Sequence, residues 1–181
     1  LAEKIKQYDP HILLLQEVDL PSKRSGNVNQ FERLMQLADM PYGAYASQWD
    51  VAYIPTEGLG HVNSGNVILS RYPLKNATRY QLDQMEEQDA VTRFFYLRRN
   101  ILRAEAVIAA GKRVAIYNTH LSAYSKDGTR KKQLNELENL LKKETLPFIA
   151  GGDFNTLPPG TKKVKGFDDS VCEDDDFVMD D

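Results

Sequence analysis

The sequence predicts an α/β domain, a sheet core with helices laid outside it. Three observations carry that prediction. Apolar runs of strand length recur, among them His11–Gln16, Arg113–Tyr117 and Phe148–Ala150. Helical spacing of apolar residues recurs between them, most clearly over Thr129–Lys143. Several of the strand-like runs end abruptly on polar side chains. At 181 residues the chain can bury one real core. Its longest apolar runs are strand-sized, so no membrane span is expected. The single Cys172 rules out an internal disulfide.

The elements follow in order. Leu1, Ile5 and Tyr8 share the face of an amphipathic helix that Asp9-Pro10 ends. His11–Gln16 is almost continuously apolar, as for a strand buried on both faces. It closes on Gln16-Glu17-Val18-Asp19, and a buried Glu is costly unless it is paired or binds a metal, so Glu17 is a strand-end residue exposed to water, a partner of an Arg, or a metal ligand. Pro21–Val28 reads as a polar loop, and Asn29–Ala38 as a helix with Phe31, Leu34, Leu37 and Ala38 inward. Tyr42–Ile54 holds a strand or two, Glu57–Gly65 is a glycine-punctuated loop containing His61, and Gly65–Leu74 is a strand ending in a polar turn.

Gln81–Val91 is acidic and amide-rich, a loop. Arg98, Arg99 and Arg103 bracket the start of another strand, as a solvated edge or as guanidinium forks for a phosphate. Ala104–Ile108 and Arg113–Tyr117 form a hairpin, with Gly111 first in a type II′ turn. Its second strand ends on Asn118-Thr119-His120. Helix Thr129–Lys143 buries Leu134, Leu137, Leu140 and Leu141, and Lys142-Lys143 complement its dipole.

Pro147–Pro159 brings a short buried strand to Gly151-Gly152, then Asp153 and Asn155, two apart in an extended segment and so on one face. Thr156–Gly160 begins a loop. The tail, Asp168–Asp181, has 8 acidic and no basic residues, which leaves a body of 23 basic and 18 acidic. A mildly basic body suits a phosphate-bearing substrate, and the tail reads as a solvated loop or disorder.

Strands ending in Gln-Glu, Asn-Thr-His and Gly-Asp-Phe-Asn put Glu17, Asn118, His120, Asp153 and Asn155 at one edge of a sheet core. The cluster contains no cysteine, which disfavours soft metals. Its carboxylate and amide oxygens favour a hard ion, Mg²⁺, Mn²⁺ or Ca²⁺. Mg²⁺ uses one or two carboxylates and leaves room for phosphate oxygens, which points to hydrolysis of a phosphate ester.

Leu-Leu-Leu-Gln-Glu-Val-Asp, Gly-Asn-Val-Ile-Leu-Ser-Arg-Tyr-Pro-Leu, Asn-Thr-His-Leu and Gly-Gly-Asp-Phe-Asn-Thr, in this order, resemble the endonuclease/exonuclease/phosphatase superfamily. The similarity runs from about Tyr8 to Pro159. It implies a four-layer α/β sandwich, two mainly antiparallel sheets flanked by helices, and an Mg²⁺- or Mn²⁺-dependent phosphoesterase. Residue by residue, it implies that Glu17 binds the metal. His120 hydrogen-bonds the scissile phosphate, and Asp153 and Asn155 orient the water and stabilise the transition state. Arg99 and Asn118 are the substrate-side candidates. Members of the family begin with a strand carrying an Asn near the metal and end with an Asp-His pair, and neither is found here. The resemblance therefore implies a partial domain over 1–167, lacking a piece at each end and so expected to be a poor catalyst by itself, followed by the acidic 168–181. The substrate stays open among nucleic acid, phospholipid and small phosphate esters, as do oligomeric state and localisation. A binding or scaffold protein that kept the fold and lost catalysis is the alternative.

Overall fold

The computed structural model describes residues 1–54, 58–85, 97–123, 125 and 127–156. The expected acidic tail and most of the expected loops Gln81–Val91 and Thr156–Gly160 lie outside the described residues.

The first half of the chain builds one sheet. Helix α1 (Ala2–Tyr8) leads into β1 (Ile12–Asp19), a 3-10 turn (Lys23–Ser25), α2 (Gln30–Ala38), and the long strands β2 (Tyr42–Ile54) and β3 (Gly58–Ser70). These strands pair antiparallel in the order β1-β3-β2. The second half builds the other sheet from β4 (Leu74–Gln81), β5 (Asn100–Ala109), β6 (Lys112–His120) and β7 (Phe148–Asp153), in the order β4-β5-β6-β7, with α3 (Thr129–Lys143) crossing over before β7. Among the described residues only the β6–β7 pairing is parallel, as a helical crossover requires.

Three apolar clusters define four layers. Ala44, Ala46 and Ile68 of the first sheet meet Leu102, Ala104, Ala106 and Ile116 of the second between the sheets. The alanines keep that interface thin. Ile5 and Ala38 of the two N-terminal helices, with Val67 and Leu69, cover the outer face of the first sheet. Leu137 of α3 covers Ile101, Ala115 and Tyr117 on the outer face of the second. The expected four-layer sandwich is thus the one observed.

Several local expectations are corrected. In α1 only Ile5 is buried, and Leu1 and Tyr8 stand 74% and 79% exposed. Leu37 also faces out, and Met35 packs in its place. The glycine-punctuated segment read as a loop before Gly65 is strand β3. There a Cβ at Gly65 would sit 2.2 Å from the Ala46 carbonyl oxygen, so this glycine marks close strand approach rather than a break. The β5–β6 ladder closes at Ala109 and Lys112, which leaves Gly111 second in the turn with φ +71°, not first. Strand β4 has no apolar alternation in its sequence because most of it is exposed. Strand β7 is an exposed edge rather than a buried strand.

Candidate active site

Strand parity positions the first acidic residue. Ile12 and Leu14 face the space between the sheets, and Leu13 and Leu15 face the helices. The β1–β3 register then slips between Leu15 and Val18. Gln16 keeps the inward direction, and its Nε2 donates to Asn118 Oδ1 across the sheets at 2.7 Å. Val18 returns to the helix side. Glu17 is the extra residue of this bulge, at φ +57°. The other non-glycine residues at positive φ among those described are all Asn or Asp, which tolerate that region far better than a glutamate. Such local strain is typical of functional positions. The Glu17 side chain is 66% exposed, a strand-end glutamate open to water.

The second sheet supplies the rest. His120 and Asp153 are directly opposite in the parallel β6–β7 register. Gly152 allows this approach, because a Cβ there would lie 2.0 Å from the Thr119 carbonyl oxygen and its φ of +141° suits glycine. The Leu121 N–H donates to the Asp153 carbonyl at 2.9 Å. The imidazole then lies between two carboxylates, with Nδ1 3.9 Å from Glu17 Oε1 and Nε2 3.7 Å from Asp153 Oδ2. Neither distance is a hydrogen bond, and Nδ1 is buried with no hydrogen-bond partner among the described residues. Burial, and after it the Arg99 guanidinium, hold the His120 pKa below the ordinary histidine value against the opposing pull of Asp153 and Glu17. Burial and Arg99 thus favour the neutral imidazole.

The extended Asp153–Asn155 geometry is corrected. Asn155 is in the left-handed region at φ +50°. Its N–H donates to Asp153 Oδ1 at 2.9 Å, and its Nδ2 donates to the Leu121 carbonyl at 2.8 Å. This turn fixes one oxygen of Asp153 and brings the Asn155 amide to the end of β6.

Two expected substrate contacts sit deeper than the sequence suggested. Asn118 is fully buried, its Oδ1 accepting from Gln16 and its Nδ2 donating to the carbonyls of Leu15 and Val67, both at 2.8 Å. Its amide is consumed in joining the sheets. Arg99 is 5% exposed and donates from Nη1 to Gln48 Oε1 at 3.4 Å, so it reaches the site through its charge on His120. Arg103 is no phosphate fork either: it binds the carboxylates of Glu105 and Glu144 on the far face of the sheet. Gln48 was not singled out in the sequence. It is buried and its Nε2 donates to the His120 carbonyl at 3.3 Å, and nothing in its surroundings of Ser47 and Trp49 sets it apart from any strand glutamine.

Beside Glu17 opens a cleft whose walls also include Arg24, Gln48, Trp49, Ser64 and Leu97. No group of three or more His, Cys, Asp or Glu side chains able to hold a metal occurs among the described residues. One exposed carboxylate does fit a hard ion that keeps most of its water shell, as Mg²⁺ does.

The family model of the Endonuclease/Exonuclease/phosphatase family matches residues 1–163. The chain belongs to that family. It superposes with TM-score 0.65 on an endonuclease/exonuclease/phosphatase from Beutenbergia cavernae, at 24% identity over 86% of this chain and 41% of that one. The catalytic domain of human Nocturnin with bound sulfate gives 0.57, at 22% identity over 87% and 55%. ANGEL2, a 2',3'-cyclic phosphatase, gives 0.56, at 16% identity over 87% and 43%. These likenesses establish the fold. The chain spans roughly half or less of the length of these structures. No curated protein matches it by sequence. Among the described residues no helix is long and apolar enough to cross a membrane.

Proposed function

We propose that the protein is a divalent-metal-dependent phosphoesterase that hydrolyses its substrate with an activated water. The observation that carries this reading is the meeting of Glu17 from one sheet with His120 and Asp153 from the other, with the imidazole under 4 Å from both carboxylates. Titratable groups drawn together from distant segments, with a shifted histidine among them, are a mark of catalytic sites.

Glu17 would hold the cation, Mg²⁺ or Mn²⁺, whose chemistry is to neutralise charge on the phosphate oxygens. Asp153, with one oxygen fixed by the Asn155 N–H, keeps its other oxygen, 3.7 Å from His120 Nε2, to orient a water and accept its proton. The neutral His120 presents one N–H to a non-bridging phosphate oxygen, where negative charge grows during attack. The Asn155 amide spends one N–H on Leu121 and has the second to offer the same phosphate. Gln48 and Arg99 support His120 from below. Positioning and electrostatic stabilisation carry most of phosphoryl transfer, and these residues would supply both.

Glu17 and Asp153 are both more than half exposed at the side chain, so Glu17→Gln and Asp153→Asn leave stability nearly unchanged. Each is expected to lower kcat/KM for bis(p-nitrophenyl) phosphate by about 10²-fold or more. Chelation abolishes turnover, and added Mg²⁺ restores it. Turnover that survives chelation, or that survives both substitutions, overturns the proposal.

A further inference from the structure

Beyond the carboxylate–imidazole cluster, the adjoining cleft has a construction that the hydrolysis itself does not use. Asp19 is buried at 3% exposure, and Arg24 lies against it as a fork. Arg24 Nη2 donates to Asp19 Oδ1 at 2.7 Å and Nε to Oδ2 at 3.0 Å, and Nη2 also donates to Ser64 Oγ at 3.0 Å. The guanidinium charge is neutralised along that edge. Its carbon stands 5.7 Å from the centroid of the Trp49 ring. The pair is fixed from several elements: Asp19 just past the β1 bulge, Arg24 on the 3-10 turn, Trp49 on β2 and Ser64 on β3.

A half-buried indole with the Arg24 guanidinium over its ring, in a cleft also lined by Leu97 and Glu17, offers planar surface for a ring stacked on that pair rather than unneutralised positive charge. A phosphate placed there would meet the Glu17 carboxylate and a guanidinium already neutralised by Asp19. An aromatic ring would meet stacking area, while the buried Gln48 amide and Ser64 hydroxyl behind it are already engaged with His120, Arg99 and Arg24. Stacking of this kind strengthens binding by about tenfold or more per ring in nucleic-acid binders.

We infer that Trp49 and Arg24 form a ring-binding subsite that takes a planar aromatic group carried by the substrate's phosphate, such as a nucleobase. The inference rests on the phosphoesterase reading only for where the phosphate sits. Aryl phosphates share the chemistry, and the test separates the two sources.

Trp49 is the only tryptophan of this chain, so its fluorescence reports on the cleft directly. The protein is titrated with adenosine 5′-monophosphate, ribose 5-phosphate, phenyl phosphate and inorganic phosphate, and binding is followed in parallel by calorimetry. Saturable quenching by adenosine monophosphate, with ribose phosphate and inorganic phosphate at least about tenfold weaker, is the expected result. Equal binding of phenyl phosphate would assign the subsite to any aryl group, and weaker binding would assign it to a nucleobase. Trp49→Ala should weaken adenosine monophosphate about tenfold or more, and Trp49→Phe should restore most of it. Binding that ignores the ring, or that is unchanged in Trp49→Ala with its fold intact by circular dichroism, overturns the subsite. Ring binding in a protein that hydrolyses no phosphoester would sink the enzymatic reading and leave the subsite standing. Hydrolysis indifferent to a ring, and to Trp49→Ala, would do the reverse.

Discussion

Asn118 shows what one side chain can do when every polar atom is used. Its Oδ1 accepts from Gln16, and its Nδ2 donates to two carbonyls on different strands of the opposite sheet. Asn118→Ala would strand those carbonyls and the Gln16 amide in a dry interior. Each lost hydrogen bond costs about 1 kcal/mol, and unsatisfied buried groups raise the total, so a loss of roughly 3 kcal/mol is expected. Urea denaturation measures it. A loss well under 1 kcal/mol would mean that water replaces the amide and that the sheets are not joined here. Because Asn118 lies two residues before His120, the variant should also reduce activity without touching substrate. A rise in activity would contradict that placement.

At the scale of elements, the network beneath α3 is set by its end. Glu144 follows the helix and is nearly buried, and its carboxylate accepts from the Thr145 and Leu146 N–H groups, from the Tyr117 hydroxyl and from Arg103. Burial pushes its pKa up, but the hydrogen bonds of Leu146, Tyr117 and Arg103 together outweigh it and bring the pKa down to about 2. A carboxylate depressed in the folded state binds protons more readily when unfolded. The stability it contributes is therefore complete above the ordinary glutamate value of 4.5 and is lost as pH falls toward about 2. Glu144→Gln should lower stability at pH 7 and flatten its decline over that acid window. Thermal melts between those limits test this, and an unchanged acid slope would exclude Glu144 as its source.

Elements with strong periodicity were legible in the sequence: α3 has the predicted bounds, and β1, β5 and β6 follow their apolar runs. The polar strand ends were legible too, because Glu17, His120 and Asp153 follow apolar segments directly. Depth was not. Asn118, Arg99 and Gln48 are polar residues whose burial depends on the other sheet, and one strand's sequence carries no trace of it. Glu17 shows the same limit: the apolar run before it leaves exposure, pairing and metal binding all open, and only the bulge shows that it turns outward. Strand β4 escaped notice because an exposed edge strand needs no alternation.

For the whole molecule, the candidate site is a property of the seam between sheets. Glu17 reaches it from the first sheet and His120 from the second, so anything that slides one sheet over the other separates them. Among the described residues the second sheet has four strands and the first three, and β7 is an edge strand of the second. Its Phe148 and Ile149 are 45% and 53% exposed, and among the described residues no strand pairs with its outer side. An exposed apolar edge with unpaired N–H and C=O groups is a template for another chain. The 181-residue chain is accordingly expected to associate with rising concentration, and Ile149→Lys should suppress that association. The substitution removes no buried contact, so the melting temperature should stay within a degree or two. Sedimentation velocity over a concentration series decides the matter. A wild-type chain that stays monomeric throughout would show that this edge is already covered, and equal association of wild type and Ile149→Lys would place the sticky surface elsewhere.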